Sequence, residues 1–581
     1  MPYGTLLPSF LLRALLVAGA LACPFLGSAQ PAPAAWQSAA SGGSPDPDGG
    51  NSLAVDAGGN TYVTGACASG ARFGTVTLPG EGGTDVFVAK YNSRGVLLWV
   101  RSGGSQQDDG GIGLAVDAAG NCYVSGTIGG DATFGTRMVA GSLGQDDAFV
   151  LSYDPAGTVR WVYASAGIGM KTSGKLALDG GGNVYAVGGF SGEAVFGSTT
   201  LTSTGTGGGP NEPPDGFVVS YAPTGAMRWA RQIANPDGIT VSAIGVSAVG
   251  DYYITGGFGV TATIGSTTLT AVGEVDGFVA KFNASGLAQW ANSFGGIDGH
   301  IIPAGMAVSP TGECYVVGDS DVPSLDFGPF QQPNPSAIQG FMGYVVRYSK
   351  GGNPRWARGV GSTENAGTYA VDVRGAALHL TGAFAATATF ESPTGAVDVL
   401  ATTLADLFVA RYDTAGGQLT AVTTASGNQP DQEVAVGQGI AIDALGNTHI
   451  TGLFGTFDGS PGTLQLGTLP TLPAYGDVDM YVATLSPGPL ATPNALAEAA
   501  FRIFPNPVAP AARLTVAGLA AGTPLHLTLL DALGRVVQTK MVVPANGAAS
   551  WAPAALPAGL YTLRAEQAGA PGRTRRVVVV E

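Results

Sequence analysis

Two series of aspartates recur along this 581-residue chain at intervals of about 62 residues. Repeating carboxylates invite a metal or acid–base reading. The first series opens an Asp-x-x-Gly-Asn turn at Asp56, Asp117, Asp179 and Asp443. Calcium takes carboxylate and carbonyl oxygens from tight loops. So short a turn cannot supply six of them, and an Asp accepting backbone N–H groups of its own hairpin accounts for the same residues. The second series, Asp85, Asp147, Asp215, Asp276, Asp406 and Asp479, stands two residues ahead of a Phe or Tyr in six units. A ring of these is a candidate site for calcium or a polar ligand. Recurrence in nearly every unit points instead to a part in each unit's own folding. Trp99, Trp161, Trp229, Trp290 and Trp356 read as packing between units. His379 and His449 occupy the place of Tyr62 and Tyr123 and read as core replacements. Cys67 and Cys122 fall in adjacent units, but register does not support a bond between them. The chain carries no Ser nucleophile elbow, zinc signature or phosphate loop, so no catalytic or cofactor-binding residue is assigned.

The elements that must hold these residues are short strands. In unit one, Leu53-Ala-Val-Asp56 and Thr61-Tyr-Val-Thr64 flank hairpin chemistry, and Phe87-Val-Ala-Lys-Tyr91 and Val96-Leu-Leu-Trp-Val100 make a second hairpin. A longer connection between the second and third runs often carries Phe-Gly, as at Phe73-Gly74, Phe134-Gly135 and Phe196-Gly197, and has room for a small extra hairpin. Four strands per unit, seven times over, predict a β-propeller. Unit seven stops near Leu485 without a fourth strand, while an orphan run, Trp36-Gln-Ser-Ala-Ala-Ser-Gly-Gly43, lies one period before Trp99. The N-terminal run is therefore expected to complete the last blade and remove open edges. The pattern A-V-D-x-x-G-N-x-Y-V-x-G followed by D-x-F-V-x-x-Y resembles the SBBP-type propeller repeat of secreted bacterial proteins over roughly 36–485. Ser247 and Ser309 depart from it at the first Asp.

Composition agrees. Gly is 92 of 581, charged residues are 12% and hydrophobics 45%, which disfavours helices and suits a large core. The net charge of −15 argues against nucleic acid as a partner. Residues 1–29 read as a secretory signal with an apolar run over 14–22 and cleavage after Ala29. Lipidation of Cys23 is the rival, weakened by Ala20 where a large aliphatic is usual. No other apolar run reaches bilayer length, so no transmembrane segment is expected in the mature chain.

Residues 486–500 read as a linker. From 501 to 581 eight Lys/Arg face three Asp/Glu, net +5, leaving −20 for the rest. Strand-like runs there predict a small immunoglobulin-like β-sandwich. The fold class is thus all-β: a seven-bladed propeller over 30–485 followed by the sandwich. Phe504-Pro505-Asn506-Pro507, Asp531-Ala-Leu-Gly534-Arg535 and Leu556-Pro-Ala-Gly559-Leu-Tyr561-Thr-Leu-Arg564 are similar to the type A sorting domain of the type IX secretion system of Bacteroidetes. The resemblance implies that the domain is an export address and that the secretion machinery is its partner. It also implies a route through the periplasm to the outer-membrane surface or medium. A plain accessory domain is the alternative for the same strands. The functional expectation is a secreted or surface module that binds an extracellular carbohydrate or protein; the competing one is a secreted polysaccharide-degrading enzyme with a site in the propeller funnel.

Overall fold

The computed structural model describes residues 34–487, apart from 143–144, 206–212, 337–339, 402, 430–431 and 459, together with 502–504, 513–517, 525–531, 535–543 and most of 548–579. The signal-peptide reading of 1–29, nearly all of the 486–500 linker, and Pro505, Asn506, Pro507 and Gly534 lie outside the described residues. Two compact units divide at Gly488 and Pro489.

The described residues are all-β. In the first unit β1 (Trp36–Gly43), β2 (Gly49–Val55), β3 (Thr61–Ala68), the short hairpin β4 (Arg72–Phe73) and β5 (Val76–Thr77), β6 (Thr84–Tyr91) and β7 (Leu97–Gly104) follow one another. β2, β3, β6 and β7 form an antiparallel sheet in that order. β3 and β6 are buried along nearly their whole length, polar Thr64, Asp85 and Lys90 included. Among the described residues six more sets of four antiparallel strands repeat the arrangement down to residue 485, two of them extended at the edge by a short hairpin, and each has a two-stranded hairpin after the second strand, as the long connections predict. The Gly three residues after the tyrosine of the second strand has a steric reason: a Cβ on Gly65, Gly126, Gly188 or Gly256 would collide with a carbonyl oxygen of the first strand.

The orphan N-terminal run finds its place. β1 pairs with Val478–Leu485, Trp36 opposite Leu485 and Gly42 opposite Met480, and so becomes the fourth strand of the last sheet. First strands of successive sheets lie side by side: β2 beside Gly110–Val116, and so on to Val434–Ile442, which lies beside β2. Tryptophans fill the seams between sheets. Trp99 Nε1 donates to Pro155 O at 3.1 Å, Trp161 to Pro223 O at 3.2 Å and Trp290 to Lys350 O at 3.0 Å. Cys67, Cys122 and Cys314 are buried free thiols, and the Cys67–Cys122 bond does not form.

In the C-terminal unit Arg502–Phe504, Leu514–Ala517 and Ala548–Trp551 make one sheet, and Val536–Val542, Leu525–Leu530, Gly559–Gln567 and Arg573–Val579 the other. Leu514, Val516, Leu527, Leu529, Trp551, Tyr561, Leu563 and Val577 form a single core. The strands at Arg502–Phe504 and Ala548–Trp551 are not among those the sequence pattern predicts; each is short and lacks a sustained alternation.

Candidate functional site

The Asp-x-x-Gly-Asn turns are built alike. Asp117 Oδ1 accepts the N–H groups of Ala119 and Asn121, both at 2.9 Å, and Oδ2 accepts Asn121 Nδ2 at 2.8 Å and Tyr123 OH at 2.9 Å. Asp56, Asp179 and Asp443 make the corresponding bonds, with His449 Nε2 at 3.3 Å from Asp443 in the place of the tyrosine. Gly59 and Gly120 sit at φ of 76° and 80°, a conformation side chains resist. Ser309 substitutes by accepting Glu313 N–H on its hydroxyl at 3.1 Å. Asp372 departs: it reaches the following sheet and accepts Ile442 N–H at 2.7 Å, because its hairpin turns on Gly375-Ala376 and offers no Asn four residues on. Burial opposes ionisation of Asp117 and Asp443, but the donors from Asn121 and Asn447 outweigh it and hold both below the usual carboxylate range. His379 and His449 are buried and their pKa values pushed down, His379 to about 3 by burial and by Arg411. Both are neutral core groups.

The second series begins the third strand of six sheets and is buried throughout, none of its side chains more than 2% exposed. Each Asp ties down the connection that precedes it. Glu81 N–H donates to Asp85 at 2.9 Å, Ser142 N–H to Asp147 at 2.5 Å, Thr204 N–H to Asp215 at 2.9 Å and Val272 N–H to Asp276 at 2.9 Å. Thr403 N–H does so to Asp406 at 3.2 Å, and Tyr475 N–H to Asp479. Every one of these carboxylates thus anchors a connection of its own sheet, and among the described residues no three His, Cys, Asp or Glu side chains converge as a metal would require. Partners absent from the sequence reading are Asp48, Asp109 and Lys171, which lie beside Asp479, Asp85 and Asp147. They belong to no repeated motif.

The antiparallel order puts the turn between the first two strands, Asp-x-x-Gly-Asn in four of them, at one end of each sheet and the long connections at the other. The two ends differ in charge. Asp46, Glu81, Asp131, Asp237, Glu274, Asp298 and Glu364 are exposed on the connections, whose basic residues are Arg72, Arg137 and His300, with Lys171 at the edge. His300 lies between Glu274, 3.2 Å away, and Asp321, 3.7 Å away. A cleft of about 330 Å³ opens at this end, with Ser293, Ile297, Ser324, Asp326 and Gln331 on its walls.

In the C-terminal unit Asp531 and Arg535 close a turn: Arg535 N–H donates to Asp531 Oδ1 at 2.9 Å and its Nε to Oδ2 at 2.7 Å. Tyr561 is buried and its OH donates to Pro557 O at 3.0 Å. Gly559 opens its strand, and Arg564 stands exposed opposite Thr528.

The chain matches no family model. It is 23% identical over 466 residues, 67% of its length, to a WD repeat-containing protein of Acanthamoeba polyphaga mimivirus, and covers 32% of that relative; it therefore spans about a third of the relative's length. Solved structures similar to it include a fungal alcohol oxidase bound to copper, at 12% identity and a TM-score of 0.35, covering 94% of this chain and 100% of that one. Another is PorZ, a surface component of the type IX secretion system of Porphyromonas gingivalis, at 13% identity and a TM-score of 0.20, covering 89% and 75%.

Proposed function

We propose that residues 34–487 form a seven-bladed propeller working outside the cell as a binding module, and that residues 501–581 are the address that exports it through a type IX secretion system. The ring is supported by the cyclic adjacency of the seven first strands and by β1 pairing with Val478–Leu485. The observation that carries the binding reading is how the repeated polar residues are spent. Both aspartate series bond to their own hairpins and connections, which favours a structural part for them over a catalytic one. The turns between first and second strands keep nearly one length while the connections between second and third strands differ from sheet to sheet, and loops on a rigid frame make a recognition surface. The acidity of that end favours a partner bearing positive charge.

The test uses the full chain, purified and probed on glycan and peptide arrays at low and high salt, with and without calcium. The reading expects saturable binding that weakens with salt and is lost when Glu81, Glu274 and Glu364 are changed together to Lys, while Arg94→Glu at the other end has no effect. Turnover of a polysaccharide would favour the enzyme instead. For the address, deleting 501–581 should leave the propeller in the periplasm of a host with that secretion system, and Arg564→Ala should impair export without unfolding. Surface display that survives the deletion overturns the assignment.

A further inference from the structure

Seven equivalent backbone hydrogen bonds align the junctions between sheets residue by residue. The first strand of each sheet, or the residue before it, donates to the carbonyl that precedes the third strand's first core position in the previous sheet. The first bond runs from Asp48 N–H to Val478 O at 2.7 Å, the second from Asp109 to Thr84 at 2.8 Å and the third from Lys171 to Asp146 at 3.0 Å. Ile239, Ile301, Ala366 and Ala435 donate in the other four. The residue packed beside the third-strand acid is therefore Asp, Asp and Lys at the first three junctions, and apolar afterwards.

How each acid is satisfied follows that residue. Asp147 has Lys171 Nζ 3.1 Å away, both side chains fully buried. Asp215, beside Ile239, fills both oxygens with Thr204, Gln232 and Asn235. At the two acid–acid junctions the pattern fails. Asp109 accepts Ser105 N–H, Ser105 Oγ and Gly129 N–H, and Asp48 accepts Ser44 N–H and Ala68 N–H. Oδ1 of Asp85 and Oδ1 of Asp479 are buried and make no hydrogen bond, although the N–H groups of Gly476 and Ser44 lie near the Asp479 carboxylate. Asp85 Oδ1 and Asp109 Oδ2 crowd the same space, since a Cβ on Gly104 would collide with both. Asp479 and Asp48 are within hydrogen-bond reach of each other. The orphan oxygen on one acid thus faces a carboxylate on the other, an arrangement that a single proton repairs.

We propose that Asp85–Asp109 and Asp479–Asp48 each hold one shared proton between the orphan Oδ1 and the neighbouring carboxylate, and that the two pairs form a clasp on either side of β3 that acid tightens and alkali loosens. Both pairs touch that strand's end: Asp85 is in register with Cys67, and Asp48 accepts Ala68 N–H at 2.8 Å. The other titratable groups facing them are the Cys67 thiol, and Glu81 and Asp108 from the connections; Arg72, in register with Gly43, is exposed. Among the described residues no Lys, Arg or His is within ion-pair distance of either pair. Burial lifts all four acids, Asp48 to about 7 and Asp85, Asp109 and Asp479 to about 6, and the proton belongs to each pair rather than to one residue. A raised folded pKa gives stability that is complete below the unfolded value near 4 and is lost as pH rises through 6 to 7.

The test is thermal unfolding of the full chain from pH 5 to 8.5, beside the Asp85→Asn, Asp479→Asn double variant, whose amides donate as the carboxylic acids do. The wild type should lose roughly 3 °C or more of Tm over this range, and the variant should lose that slope and exceed the wild type at pH 8. Equal slopes overturn the proposal. Infrared spectroscopy of the wild type at pH 6 reads it independently of whether the variant folds. A carboxylic-acid carbonyl band that moves with ¹³C-aspartate supports it, and absence of such a band sinks it. A rise in wild-type Tm on adding calcium at pH 8, absent in the variant, would make the pairs cation sites and overturn the shared proton.

Discussion

The two ends of each sheet use the same residue in opposite electrostatic senses. At the turn end an aspartate such as Asp117 collects four donors from its own hairpin and is held below the usual carboxylate range despite partial burial. At the connection end Asp85 and Asp479 are buried with fewer donors and with an acid for a neighbour, and are pushed up. What sets an aspartate's charge here is the count of N–H groups aimed at it against the water it has lost. Sequence identity and repeat position do not decide it.

Four experiments press on that contrast. The largest effect should come from removing residues 34–43, which strips the last sheet of its fourth strand and of Trp36, whose loss alone is worth about 3–5 kcal/mol. Deleting the exposed 393–396 turn should cost far less in denaturant unfolding. Next is Asp147→Asn, which leaves Lys171 buried and unpaired at a cost of about 3–5 kcal/mol. Adding Lys171→Met should restore most of the lost stability, and failure to do so would mean that the ion pair is not what the junction needs. Asp117→Asn should cost about 1–3 kcal/mol at pH 7. Because the folded pKa of Asp117 is lowered, its contribution is present above the unfolded value near 4 and fades as pH falls through the folded one; variant and wild type should converge in acid. The smallest effect is Asp85→Asn, within about 1 kcal/mol at pH 5 and turning to a gain above pH 7. If Asp85→Asn and Asp117→Asn showed the same pH dependence, the contrast between the ends would collapse.

The repeat was readable because its signals are local. Asp56 and Asn60 are four residues apart, and the bonds they make close within one hairpin. Most strands of the C-terminal unit were readable because their β-branched and apolar runs are local too. The junction chemistry was hidden. Asp109 lies 24 residues from Asp85, beyond a whole strand, and its equivalents are Asp48, Lys171 and apolar residues, so no pattern marks the position. Asp372 holds the same place in its unit as those turn aspartates, but the shortened hairpin after it sends the carboxylate to the next sheet.

The pairing of β1 with Val478–Leu485 also has a consequence in time. Ala35 N–H meets Ser486 Oγ across 451 residues of chain. A strand at the start of the unit must therefore wait, unpartnered, until the last repeat has been synthesised. Every other sheet can form from neighbouring residues as they emerge, so assembly is fast and local until its final step, which bears the loop-closure entropy of the whole unit. That step sets when the molecule stops being a chain of independent hairpin pairs and begins to unfold as one cooperative body.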